Sequence, residues 1–492
     1  MTVVELILSA FVIAGALPLA AGCYQSALAA LHRFRYADAD PPATPPNVAV
    51  VVPAWNEAAV IGRTIDTLVA LEYPPERLRV YVVDDASTDA TPEIVGAKAA
   101  EYEGRVFHLR RERGGEGKAH TLNHGLRRIR AEGWYEAVLI IDADVIFTGR
   151  SLARMVRHLG DPDVGAVTAY IKEGSRPANY LNKFVAYEYV NAQAGARRAQ
   201  NVLGAQACLA GGAQLLRRES LDAIGGAIDT SSLAEDTFTT FNVQLAGKRV
   251  VFEPHAIVWA EEPRDIAGLW KQRLRWGRGN VQVSRRYRDV WLHRGKGRLG
   301  GVSFALIWFS VLLMPVLMVV SSFALVVLFL LDRGVSVDVF RALWLVNLVT
   351  YLFITLSTFA LDPPTARRTW LQGFTFPGLI SLLIIAYAAY PPWVDDLGAD
   401  VARDLGIDPD AGLATGLLLF TYVWQSAAML AAWLVKRVEV TRLRPLARPL
   451  LYVAGYGPLL CAITATAYLK EARGTEMTWE KTEKTGRLGD FA

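Results

Sequence analysis

Apolar and polar positions divide the chain into zones. Residues 3–31 carry one acid, Glu5, and no base, and after residue 302 long apolar runs recur at 303–331, 343–361, 374–390, 413–434 and 450–469. Each approaches the about 20 residues that cross a hydrocarbon core. Between these zones, residues 35–300 mix charge and apolar positions as a water-facing domain does. Within that stretch, short β-branched runs at 48–52, 78–83, 106–109, 137–141 and 164–170 alternate with helical patterns such as 59–71. The alternation predicts an α/β fold, a mostly parallel sheet with helices on both faces. Ligands of such sheets bind beyond the carboxyl ends of the strands. The polar clusters fall there: 53–57 with Asn56 and Glu57, 84–89, and 142–144. A short proline-rich linker, 41–46, joins the first apolar zone to the domain.

Composition agrees with the pattern. Hydrophobic types make up 52% of the 492 residues, too many for an ordinary soluble enzyme, and a net charge of +4 is too small to argue for nucleic acid. Cys23 and Cys461 lie in apolar runs and Cys208 stands alone, so no metal or disulfide framework is expected. Residues 19–23 loosely resemble a lipoprotein cleavage site, but the basic region that precedes such signals is missing, so an uncleaved anchor over 1–34 is expected.

Bases beside the spans set orientation. His32, Arg33 and Arg35 place the middle domain (35–300) in the cytosol, as do Arg367, Arg368 and the later cluster Lys436, Arg437, Arg442, Arg444 and Arg448 for their loops. The Asp-rich loop 391–411 reads as external. A multi-pass protein of the cell membrane follows, with a C-terminal bundle over 301–470 and a tail over 471–492. One span before the domain and five after it would leave the basic tail outside; a re-entrant segment at 374–390, near Pro377 and Gly378, would restore it to the cytosol.

Five clusters could carry chemistry. Asp84 and Asp85 end a strand; a helix cap at Ser87, Thr88 or Asp89 accounts for the turn but not for two adjacent acids, which could bond a uracil or ribose. Asp142 and Asp144 are alternate carboxylates at a strand end, costly together unless a cation lies between them, and a hard divalent ion shared with a diphosphate would supply it. The loop Arg113-Gly114-Gly115-Glu116-Gly117-Lys118 precedes a helical stretch, 119–130, and offers backbone N–H groups and a lysine to an anion; it lacks the spacing of a Walker motif. Glu235 and Asp236 open another helix, where they suit its dipole, and either could serve as the base that an acceptor hydroxyl needs. Gln272-Arg273-Leu274-Arg275-Trp276 lies in a basic, aromatic helix over 266–291 that suits a membrane surface.

In order, these stretches resemble the processive branch of glycosyltransferase family 2, which includes cellulose, hyaluronan, chitin-oligosaccharide and poly-N-acetylglucosamine synthases. The resemblance rests on residues 51–57, 82–89, 117–119, 141–144, 234–237 and 272–276, and on 180–262 and 479–487 for the poly-N-acetylglucosamine members, whose ending is cytosolic. It implies an A-type glycosyltransferase domain inserted between transmembrane helices, and inversion in one displacement. It further implies uridine contact by Asp85, diphosphate contact by Asp142 and Asp144 with Mg2+ or Mn2+, and Asp236 as base. Gln272 and Arg275 would hold the diphosphate and Trp276 would stack on the acceptor. With Asn56, Glu57, Asp84, Lys118 and Glu235 these complete the expected substrate contacts. Ala234 stands where Thr or Ser is usual, and Cys208-Leu209-Ala210-Gly211-Gly212 departs from the cellulose and hyaluronan versions of the acceptor segment.

The expected function is polymerisation of a UDP-sugar, UDP-N-acetylglucosamine or UDP-glucose, into a β-linked polysaccharide exported through the bundle. Its partners would be the donor, a polysaccharide or lipid-linked acceptor, membrane lipids and an accessory export subunit. The competing expectations are a single transfer onto a lipid carrier, or a non-catalytic transporter with a sugar-nucleotide sensing domain.

Overall fold

The computed structural model describes residues 1–36, 40–390, 411–476 and 485–489. It divides into two compact units. One comprises Ala27–Ala305 with Gly474–Ala492, the other Met1–Ser26 with Leu306–Arg473.

The first unit is built on a sheet of β1 (Val48–Ala54), β2 (Leu78–Asp84), β3 (Val106–Arg110), β4 (Ala137–Ile140), β5 (Val145–Phe147), β6 (Val164–Glu173), β7 (Gln214–Arg217) and β8 (Arg249–Ala260). Their order is β3-β2-β1-β4-β7-β6-β8-β5. Strand β1 is a β-branched run buried on both faces, as a central parallel strand should be. It pairs in parallel with β2 and β4, and β2 with β3. Helix Lys118–Glu132 covers one face, its Leu122, Leu126 and Ile129 recurring at helical spacing against Val51, Val83 and Ile140.

Beyond β4 the sheet departs from the mostly parallel expectation. Strand β7 runs antiparallel to both β4 and β6, β8 is parallel to β6, and β5 is antiparallel to β8, so the sheet is mixed. The strands missed in the sequence hide for physical reasons. Strands β5 and β7 are three and four residues long. The pattern of β8 is interrupted at Glu253-Pro254-His255, where Pro254 cannot donate to a ladder and the register jumps from Glu253 to Ile257.

The C-terminal tail belongs to this unit. The backbone N–H of Thr485 and that of Gly486 donate to the Glu261 carboxylate at 2.9 and 3.0 Å. Arg63 donates to the carbonyls of Leu488 and Gly489 at 2.8 and 2.6 Å, and Arg278 to that of Thr475 at 2.6 Å.

The second unit is helical. Val302–Leu331, Arg333–Leu361 and Ala411–Glu439 are its long apolar helices. Val3–Ala14 and Leu17–Arg35 meet at a 45° bend, and Arg444–Ala454 and Tyr456–Ala472 at 98°. By length and composition three helices among the described residues could cross a membrane, or up to five if each bent pair counts as one span. The 374–390 run holds the end of helix Trp370–Phe374 and the short helix Leu379–Ala389. The acidic segment 391–410, expected to be external, lies outside the described residues, as does 477–484 of the tail. Two helix breaks interlock: a Cβ on Gly378 would stand 2.6 Å from the Ala454 carbonyl, and one on Gly455 2.5 Å from that of Pro377.

Candidate functional site

The carboxyl ends of β1 and β2 carry the first group of candidate residues. Asn56 adopts a left-handed conformation, φ 55°, which its short amide tolerates better than most side chains. Its Oδ1 accepts from the N–H of Thr88 at 2.8 Å, and its own N–H donates to Ser87 at 2.9 Å, so it staples the loop after β1 to the loop after β2. The Glu57 N–H donates to Thr91 at 2.8 Å and adds a second staple. Asp84 is fully buried and accepts from the Ser87 N–H at 2.9 Å, with Arg110 Nε 3.4 Å from its other oxygen. The carboxylate of Asp85 pairs with Arg111 and accepts from the Gly115 N–H at 3.0 Å. The glycine-rich loop is thereby tied to the acidic turn.

A second group converges on Lys118, the first residue of its helix. Its Nζ lies 2.5 Å from Asp142 Oδ1, 3.3 Å from Glu235 Oε1 and 3.3 Å from the Gly211 carbonyl. Burial opposes its charge, but Asp142 and Glu235 outweigh burial and hold its pKa above the usual lysine range. Gly211 is the floor of this cluster: a Cβ there would stand 3.1 Å from Lys118 Nζ, 3.3 Å from Asp236 Oδ2 and 3.7 Å from Asp142 Oδ2. Asp144 sits buried two residues after Asp142, at the turn into β5.

Glu235 and Asp236 occupy the first turn of helix Glu235–Leu245, as their sequence position implies. Their environments differ. Glu235 is buried, and burial together with the Asp236 charge pushes its carboxyl above the ordinary range, against the pull of Lys118 and Arg275. Asp236 is half-buried, holds the Thr237 N–H with Oδ1 at 2.7 Å and turns Oδ2 toward Gly211.

The third group lies on helix Ile266–Arg286, capped by Asp265, which accepts from the Gly268 N–H at 2.7 Å. Gln272 is buried and donates to Glu262 at 3.1 Å. Arg275 lies close enough to lower the pKa of Glu235 by its charge, which joins this helix to the acidic centre. Trp276 is 37% exposed, and the Arg273 guanidinium stands 4.1 Å from the centroid of its ring.

Lys118, Asp142, Glu235 and Asp236 are thus brought into one cluster with Arg275 beside it. Asn56, Glu57, Asp84 and Asp85 form a separate network at the ends of β1 and β2. Sequence reasoning missed Gly211 as the floor, Arg111 as the partner of Asp85, and Glu188, Glu262 and Arg273 as the frame around Gln272 and Trp276. Arg273 stands inside a stretch already singled out; nothing local marks Glu188 or Glu262. A cavity lined by Tyr135, Glu136, Arg217 and Arg218 lies at the amino end of β4, opposite the end that carries Asp142.

An ion bound by Asp142 and Asp144 fits one pattern of donors. Among the described residues no group of three or more His, Cys, Asp or Glu side chains could hold a metal alone. Mg2+ commonly takes one or two carboxylates and completes its shell with substrate phosphates and water. The two aspartates therefore suit an ion that arrives with a diphosphate.

Residues 45–279 match the family model described as Glycosyltransferase like family 2. Probable glycosyltransferase YdaM of Bacillus subtilis (strain 168) is 32% identical over 240 residues, 48% of this chain and 56% of that protein. Poly-beta-1,6-N-acetyl-D-glucosamine synthase of Staphylococcus epidermidis is 28% identical over 245 residues, 50% of this chain and 56% of that protein. The synthase of the same name from Staphylococcus aureus (strain COL) is 29% identical over 237 residues, covering 48% and 55%. The chain spans about half the length of the curated relatives it matches. Among solved structures, mannosyltransferase PcManGT from Pyrobaculum calidifontis, in complex with GDP-Man and Mn2+, aligns with a TM-score of 0.55 at 24% identity, covering 78% of this chain and 99% of that one. At that identity the likeness speaks for the fold.

Proposed function

We propose that the chain, whose residues 45–279 match the glycosyltransferase family 2 model and share the fold of a solved mannosyltransferase, is an inverting, membrane-embedded synthase that polymerises a UDP-sugar into a β-linked polysaccharide. UDP-N-acetylglucosamine is the favoured donor, in keeping with the synthases it is similar to. The observation that carries this reading is the convergence of Asp142 and Glu235 on Lys118, with Asp236 facing the same open side of Gly211 as Lys118 and Asp142.

Asp85 takes the uridine end of the donor, in a loop whose shape Asn56, Glu57 and Asp84 maintain. Asp142 and Asp144 would hold Mg2+ or Mn2+, which when bound would neutralise charge on the leaving diphosphate. Lys118, Gln272 and Arg275 supply or steady positive charge on the same side. Of the two adjacent acids, Glu235 is buried and committed to Lys118, so Asp236, open toward Gly211, accepts the proton of the acceptor hydroxyl. The acceptor oxygen bonds to the anomeric carbon as the bond from that carbon to the diphosphate oxygen breaks. UDP leaves with the electron pair, and attack from the face opposite the leaving group inverts the centre. Trp276 offers the acceptor sugar a ring face.

The helices around the domain would hold it at the cell membrane with the domain in the cytosol, and give the product a route out, with or without an accessory export subunit. The tail bonds to the catalytic unit, which supports an even number of crossings between residues 305 and 474. Tyr351, midway along Arg333–Leu361, donates to the carbonyls of Gly373 and Phe374 at 2.9 and 2.7 Å. Residues 363–389 therefore suit a broken span that climbs past that depth, and the pair bent by 98°, Arg444–Ala454 and Tyr456–Ala472, suits the re-entrant role that 374–390 was expected to fill. Irregular backbone at membrane depth is tolerated where protein buries it, as the interlocked breaks at Gly378 and Gly455 do.

The test is incubation of the purified full chain with a panel of labelled UDP-sugars, followed by sizing of the product. Long chains from one donor are expected. A single labelled sugar on a lipid would replace the polymerase by a lipid-directed transferase, and no transfer from any donor would overturn the enzyme reading.

A further inference from the structure

The proposed function gives Arg273 no contact with the donor, yet its guanidinium is held on several sides. It is buried, and its fork meets Glu188 twice, Nε to Oε1 at 3.1 Å and Nη2 to Oε2 at 3.0 Å. Its remaining arm donates to Gln272 Oε1 at 2.5 Å. Gln272 in turn donates to Glu262 at 3.1 Å, and Tyr189 donates to the same carboxylate at 2.6 Å. The guanidinium lies 5.5 Å from the Tyr189 ring and 4.1 Å from that of Trp276. A frame is formed, with helix Tyr180–Tyr189 on one side and Ile266–Arg286 on the other. A π-helical turn, Val190–Gly195, follows Tyr189 directly, a feature that recurs at functional sites.

The frame presses on Trp276, three residues along the same helix face. One ring face lies against the guanidinium, and 37% of Trp276 remains exposed and available to a ligand. An apolar neighbour could fill the same volume, and buried ion pairs are often no better than such a filling for stability. What a filling lacks is direction. A planar, doubly bonded guanidinium sets the plane of a ring stacked on it; a lysine, with one point charge, does not.

We propose that Arg273, fixed by Glu188, is a positioning residue for the acceptor: it holds the plane of Trp276 so that the growing end lies with its hydroxyl toward Asp236. The inference rests on the reading of Trp276 as the acceptor platform. It assigns to the Glu188–Arg273 pair an effect on acceptor use that is separate from donor binding.

The experiment compares Arg273→Lys, Glu188→Gln, Trp276→Ala and the double variant Arg273→Lys/Trp276→Ala in the full chain. It measures UDP affinity by calorimetry, KM for a soluble N-acetylglucosamine oligosaccharide, and product length. Arg273→Lys is expected to raise acceptor KM about fivefold and shorten the product, with UDP affinity unchanged. Glu188→Gln, which leaves Arg273 in place but unfixed, should move the same quantities the same way and serves if the lysine variant folds poorly. The double variant should be no worse in acceptor KM than Trp276→Ala alone. If Arg273→Lys costs as much in the Trp276→Ala background as in the wild type, or lowers UDP affinity in step with acceptor use, the positioning role is overturned. If Trp276→Ala itself leaves acceptor KM and product length unchanged, the platform reading fails first, which separates the two outcomes.

Discussion

The two halves of the catalytic sheet hold their charged residues by different means. From β3 to β4 the polar residues stand at strand ends and are satisfied by the loops at those ends: Asp84 by the Ser87 N–H, Asp85 by Arg111 and the Gly115 N–H, Asn56 by the neighbouring turn. From β7 to β5 the corresponding residues ride on helix Ile266–Arg286 and are satisfied from outside that helix, Arg273 by Glu188 on helix Tyr180–Tyr189 and Gln272 by Glu262 in the segment that follows β8. Short loops at the ends of parallel strands make the first arrangement almost automatic. The second depends on two helices meeting in one register. Under the proposed function the first half would take a constant ligand, the nucleotide, and the second an acceptor whose placement needs adjustment. Lys118 joins them, since it starts a helix of the first half and pairs with Glu235 of the second.

If that division holds, variants in the two halves should separate donor binding from transfer. The largest effect belongs to Asp236→Asn. Loss of a general base should lower transfer on the order of 10²- to 10⁴-fold, while calorimetry still finds near-normal UDP affinity. Near-normal turnover would mean that another residue accepts the proton.

Asp144→Ala probes the donor half and should come next. It is expected to weaken metal-dependent UDP binding and transfer together, and EDTA should stop the wild-type enzyme. Full activity in EDTA would remove the ion from the scheme.

Gly211→Ala is aimed at the junction. Its methyl would stand 3.1 Å from Lys118 Nζ and 3.3 Å from Asp236 Oδ2. Both donor affinity and transfer should fall, each about tenfold, or ~1.4 kcal/mol. A loss confined to one of them would show that the junction belongs to a single half.

Trp276→Ala should have the smallest effect. Loss of an aromatic contact costs about 1 kcal/mol, so elongation should slow about fivefold while donor hydrolysis falls less. Equal loss of both activities would make Trp276 part of the packing of its helix.

The difference between the halves also explains what could be read without coordinates. Strands β1, β2 and β4 are largely β-branched or aliphatic runs that give way to polar or acidic residues, so their place and the direction of their ligand-binding ends were visible in the chain. The pairing of Glu235 with Asp236 at a helix start was visible for the same local reason. Strand β8 was not, because Glu253-Pro254-His255 breaks its alternation, and β7 was not, because four residues carry too little period. The direction of β7, which turns the sheet from parallel to mixed, is set by its partners β4 and β6.

The amino-acid sequence by itself determined the class of the catalytic domain, the strand-end acids, the apolar zones and the helix that carries Gln272, Arg275 and Trp276. These are properties of a residue and its near neighbours: strand period, helix start, apolar length. Tertiary structure alone decided that Gly211 floors the acidic cluster, that Glu235 rather than Asp236 is buried against Lys118, and that Glu188 fixes Arg273 beneath Trp276. Those contacts join residues far apart in the chain. Which carboxylate is buried and which stays open depends on how the elements pack, and no local pattern encodes it.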